Sequence, residues 1–113
     1  MSTPPAFDLT AYLTTAGVGR KIVRLKAKET FFLQGGASDA VFYLRVGRGK
    51  MTVVSKSGKE ATITLVAIGE FMGDDAIAEG YHRRAATATA ITSCLAVKIE
   101  KQEMIRLSRS GSR

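Results

Sequence analysis

A chain of 113 residues with 45% apolar side chains is long enough for one buried core and too short for two. Seventeen Lys and Arg against ten Asp and Glu leave a net charge of +7. That charge attracts polyanions in a salt-sensitive way, but no helix-turn-helix, zinc-finger or RNA-recognition pattern accompanies it to read a nucleic acid. The single Cys excludes an intrachain disulfide, and the single His is too few for a jelly-roll metal centre or a Ser/His/Asp enzyme. No run approaches the roughly 18 apolar residues that span a bilayer, and residues 1–8 lack the basic and apolar regions of a secretion signal. The expected location is the cytoplasm.

In chain order, Asp8 caps a short helix over 9–16, which Gly17 and Gly19 terminate, so that 1–20 forms an N-terminal segment. Short β-rich runs follow at 21–25, 30–33, 41–46, 51–54, 61–66, 70–72, 85–91 and 94–99. The stretches 34–39 and Ser57-Gly58 mark the clearest turns. With no crossover helices between the strands, the pattern predicts an antiparallel sandwich or jelly roll over 21–107. Helical character returns at 102–107, and 108–113 reads as a disordered polar tail.

Alternation in 61–66 predicts that Ala61, Ile63 and Leu65 share a buried face, with Thr62 and Thr64 on the other. In 86–90 the alternating residues are all small, which lets a ligand or another backbone approach closely. Cys94, inside an apolar run, is expected to be a small buried hydrophobe.

The densest signal lies at 69–90. Gly73-Asp74-Asp75-Ala76-Ile77 is a tight turn able to aim backbone N–H groups at one point, and Arg84 follows eleven residues after Gly73 with a guanidinium for a phosphate or carboxylate. The candidate cradle comprises Gly73, Asp74, Asp75, Ala76, Arg84 and Ala85, with Arg83 as a further candidate cation. His82 reads as an exposed loop residue.

Phe71-Met72-Gly73-Asp74-Asp75-Ala76-Ile77 and then Arg84-Ala85-Ala86-Thr87-Ala88 resemble the phosphate-binding cassette of cyclic-nucleotide-binding domains. The family pattern is Phe-Gly-Glu-small-aliphatic, a short loop, and Arg-Ser/Thr/Ala-Ala-Thr/Ser-Val. Similarity extends through Phe31-Phe32-Leu33-Gln34-Gly35-Gly36, Asp39-Ala40-Val41-Phe42-Tyr43-Leu44 with Gly47, the stretch 52–61, and Ile99-Glu100-Lys101. The ordered series looks like the sensor half of the catabolite-activator and fumarate–nitrate regulator family of transcription factors.

The resemblance implies an eight-stranded antiparallel β-roll with short N- and C-terminal helices. In that family a long dimerisation helix and a helix-turn-helix domain follow the roll; this chain carries neither, which suggests a truncated regulator. By position, Asp74 takes the role of the ribose-binding Glu, Asp75 and Ala76 offer amides, Arg84 is the phosphate arginine, and Ala85 stands where Ser or Thr is frequent. Asp74 is one methylene short, and Asp75 adds a negative charge beside the phosphate position. The expected function is therefore a non-enzymatic regulatory domain with a degenerate site that binds cyclic nucleotide weakly or not at all. The alternatives are a working cyclic AMP or cyclic GMP receptor, and a protein-interaction module that modulates full-length relatives. No cofactor, metal, membrane or specific DNA is expected as a partner; a protein partner or weak homodimer is.

Overall fold

A computed structural model describes residues 17–73 and 83–111 of the chain, with the side chains of its closing helix followed to residue 106. The helix expected over 9–16, together with Asp74, Asp75, Ala76 and His82, lies outside the described residues. Eight strands run in the order β1 (Arg20–Leu25), β2 (Thr30–Phe32), β3 (Ala40–Val46), β4 (Gly49–Val54), β5 (Glu60–Val66), β6 (Phe71–Met72), β7 (Thr87–Ala90) and β8 (Cys94–Glu100), followed by α1 (Lys101–Gly111). They pair antiparallel in two four-stranded sheets, ordered β1-β8-β3-β6 and β2-β7-β4-β5. The architecture is the predicted β-roll.

The period of two in β8 explains why it is buried on both faces. Cys94 and Ala96, opposite Leu25 and Val23, point between the sheets into a core with Phe42, Leu44, Val66, Met72, Ala88 and Ala90. Val97 and Ile99 point the other way, where Ile22, Tyr43 and Met104 of α1 cover them. Phe31 and Phe32 meet the Phe42 ring at 5.6 and 5.8 Å between centroids and fill the space beside the small residues of β7. Cys94 is buried as expected, its Sγ donating to the Arg48 carbonyl at 3.3 Å.

Strand β5 corrects the sequence reading. Met51 faces Thr64 while Thr52 faces Thr62, so Ile63 is an extra residue in a β-bulge and the alternation breaks there. Directly opposed residues share a face. Thr64 and Val66 therefore join Met51 and Gly49 on the core side, and Leu65 joins Lys50 outside. None of the three residues expected to be buried is: Ala61 is exposed, and Ile63 and Leu65 are 58% and 67% exposed. Among the described residues β5 is also an edge strand.

Two features set the ends of the roll. The Lys101 amide donates to the Asp39 carbonyl at 3.0 Å, and Glu103 is buried against Gly19 while accepting from Arg106 at 2.6 and 3.1 Å. With α1 nucleated on the strands in this way, further turns cost little, and the helix continues through residues 108–111 that composition had assigned to the tail. Gln34, read only as part of a turn, bridges three segments. Its amide oxygen accepts from Val54 N at 2.8 Å, its Nε2 donates to Val54 O at 3.2 Å, and its own N–H donates to Thr87 Oγ1 at 2.8 Å.

Gly47 and Gly58 both hold positive φ, 96° and 89°, but only Gly47 is enclosed: a Cβ there would run into the Ser93 carbonyl and the Thr92 and Cys94 side chains. At Gly58 a Cβ meets nothing within 4 Å. Gly47→Ala should lower unfolding free energy by on the order of 3 kcal/mol, against about 1–2 kcal/mol for Gly58→Ala, in denaturant titrations of the two variants.

Candidate functional site

Gly73 leaves β6 in one sheet and Arg84 enters β7 in the other, so the two meet where the sheets close on each other. The Arg84 backbone is clamped to the β2–β3 turn, its N–H donating to the Gly36 carbonyl at 2.8 Å and its C=O accepting from Gly35 N at 2.8 Å. That clamp turns the side chain inward, where the residue is only 3% exposed. Its Nη2 donates to the Ala40 carbonyl at 2.6 Å and its Nη1 to the Gly73 carbonyl at 3.3 Å. The guanidinium lies 4.1 Å from the centre of the Phe32 ring, a cation–π contact, and 3.8 Å from Asp39 Oδ1.

Taking a guanidinium out of water costs several kcal/mol unless its donors are satisfied. Here backbone carbonyls meet that demand at Nη1 and Nη2. Asp39 contributes less, because its side chain is 71% exposed and water screens the pair. Gly73 has a φ of 78° and no room for a side chain: a Cβ would collide with Arg84 Nη1 and the Phe32 ring. Both the left-handed backbone and the close approach require glycine.

Of the sequence candidates, Gly73 and Arg84 come together. Ala85 is exposed, one residue beyond the buried arginine. Arg83 turns away, its Nη1 donating to the Gly35 carbonyl at 2.9 Å on the surface. Asp74, Asp75 and Ala76 lie outside the described residues. Three participants escaped the sequence reading: Asp39, the Ala40 carbonyl and Phe32. Asp39 precedes Arg84 by more than forty positions, and only the β-roll brings them together. The Phe31-Phe32 pair was the one legible hint of an aromatic wall.

On the Gly73 side opens a cleft of about 420 Å³ whose lining includes Met51, Thr64, Leu65, Glu70, Phe71 and Gly73. Its walls mix apolar side chains with the polar Thr64 and Glu70. Among the described residues no cluster of His, Cys, Asp or Glu is placed to hold a metal ion.

The family model for the cyclic nucleotide-binding domain matches residues 22–110. The chain belongs to that family. Solved structures with the same fold include the sensor domain of the regulator DNR from Pseudomonas aeruginosa, with a TM-score of 0.78 and 18% identity over 84% of this chain and 63% of that one. The c-di-GMP responsive global regulator CLP of Xanthomonas campestris superposes with a TM-score of 0.76 and 16% identity, covering 82% of this chain and 45% of that one. The catabolite activator protein of Thermus thermophilus gives 0.74 and 19%, covering 82% and 43%. This cyclic nucleotide-binding domain thus spans less than two thirds of each of these regulators. No curated protein matches the chain.

Replacing Arg84 by Ala leaves the Ala40 and Gly73 carbonyls without their donor, so the variant should lose about 1–3 kcal/mol of unfolding free energy. Asp39→Ala should cost less than about 1 kcal/mol, since its carboxylate is mostly hydrated. Parallel denaturant titrations of the two variants check the order.

Proposed function

We infer that this chain is a non-enzymatic regulatory domain whose cradle binds cyclic AMP and cyclic GMP weakly or not at all. The observation that supports this most is the engagement of Arg84. Both terminal nitrogens already donate to backbone carbonyls, one of them at 2.6 Å, in a site closed by Phe32 and faced by Asp39. A cyclic phosphate must compete with these contacts.

The sequence adds two deficits. Asp74 stands where the family pattern has Glu, one methylene short of a ribose hydroxyl, and losing a charge-assisted hydrogen bond costs about 1.5–3 kcal/mol. By the family pattern Asp75 adds a carboxylate next to the phosphate-binding turn, where repulsion would be on the order of 1–4 kcal/mol at intermediate dielectric. Each 1.4 kcal/mol is about tenfold in affinity, so the two together carry a micromolar site towards millimolar.

A second reading, a working cyclic-nucleotide receptor, is favoured by the open cleft beside Gly73, which is large enough to receive a base. Isothermal titration of the chain with cyclic AMP, cyclic GMP and cyclic di-GMP separates the two, the last included because the related Xanthomonas regulator responds to it. Weak or absent binding by the unmodified chain, with a gain of about tenfold or more in Asp74→Glu/Asp75→Ala, is the expected result. Micromolar binding by the unmodified chain establishes the receptor reading instead.

The basic charge should give only diffuse attraction to duplex DNA. Gel shifts with competitor at about 0.15 M salt should show no discrete, sequence-dependent complex, because counterion release is the sole driving term. A cytoplasmic location belongs to the same proposal; among the described residues no helix is long and apolar enough to cross a membrane.

A further inference from the structure

Three turns from distant parts of the sequence meet at the end of the roll away from Arg84. The Lys28 N–H donates to the Ala90 carbonyl at 2.7 Å, and Ala90 N–H donates to the Glu29 carbonyl at 2.8 Å. The Arg48 carbonyl accepts from Ile91 N at 2.8 Å, while Arg48 N donates to Thr92 Oγ1 at 3.0 Å. These bonds lock the β1–β2 and β3–β4 turns onto the β7–β8 turn. They bring to one pole the chain segments that carry Arg24, Lys26, Lys28, Arg45 and Arg48, of which Arg24 and Lys26 line a common cavity with Glu29.

Among the described residues none of the five cations forms an ion pair. Glu29 is directed locally, its Oε1 accepting from Lys26 N at 2.8 Å. Between the cations the surface is apolar. Leu95 lies opposite Arg24 on one side and Val46 on the other, and Val46 is 50% exposed. A cavity of about 620 Å³ opens there, its lining including Arg24, Lys26, Val46 and Leu95, with Glu29 as its one acid. Arg45 is the extra residue of a bulge in β3, next to Val46.

We propose that this pole is a docking surface for an acidic protein segment carrying an apolar anchor residue. An apolar floor within a charged rim is the composition of a protein–protein contact, where the anchor supplies affinity and the rim supplies steering and specificity. Nucleic acid fits less well. No aromatic side chain lines the cavity for bases to stack on, and among the described residues no helix stands at this end to enter a groove. The inference is independent of the cradle, which lies at the opposite end of β3.

The test uses the full chain and a fluorescein-labelled glutamate-rich peptide with one central leucine, followed by anisotropy at about 0.15 M salt. Arg24→Glu/Lys26→Glu and, separately, Arg48→Glu should each weaken binding about tenfold with unchanged melting temperature, and replacing the peptide's leucine by alanine should weaken it about fivefold. Lys56→Glu/Lys59→Glu, in the β4–β5 turn, should change it by less than about twofold. The proposal is overturned if the Lys56/Lys59 reversal weakens binding as much as the others, if the leucine makes no difference, if an oligonucleotide of matched charge binds more tightly, or if the peptide does not bind.

Discussion

The Arg84 guanidinium, buried between two sheets and donating to the Ala40 and Gly73 carbonyls, is the contact on which this end of the molecule is organised. A permanent charge leaves water only where fixed dipoles replace its hydration, and the two carbonyls come from the start of β3 and the end of β6. Phe32 closes one side, and the Gly35-Gly36 turn holds the arginine backbone. Four chain segments thus depend on one side chain for their relative placement. The residues of the candidate cradle are the same ones that tie the two sheets together at this end, through one set of hydrogen bonds.

Much of this was legible in the residues. Strand boundaries fell within two residues of the observed ones because β-branched runs alternate with Gly-rich turns, and both signals are local. The pairing of Gly73 with Arg84 was legible for a different reason: the spacing and the ordered glycines matched a family pattern. What stayed hidden was long-range. Asp39, Phe32 and the Ala40 carbonyl reach Arg84 only through the roll, and a backbone carbonyl has no residue type to read. Strand β5 misled for a third reason, since a period of two holds only until a bulge inserts a residue, and nothing in Ala61-Thr62-Ile63-Thr64-Leu65 announces the bulge at Ile63.

That bulge also bears on association. A flat, uncharged edge strand invites pairing with another chain, and an extra residue in its middle interrupts the regular row of donors and acceptors. Ile63 and Leu65 are exposed on β5, yet a continuous edge-to-edge ladder is interrupted at the residue that would be its centre. The two ends of β3 then differ in kind: one abuts an enclosed cation held by backbone carbonyls, and the other an open cluster of cations that form no ion pair among the described residues.

Gln34 gives the molecule a mechanical link between regions that share no strand. Its side-chain amide grips both backbone groups of Val54 at the end of β4, and the two glycines that follow it grip the backbone of Arg84. The Arg84 main chain, inside the roll, and the base of the β4–β5 hairpin, on its surface, are thus joined through the three consecutive residues Gln34-Gly35-Gly36.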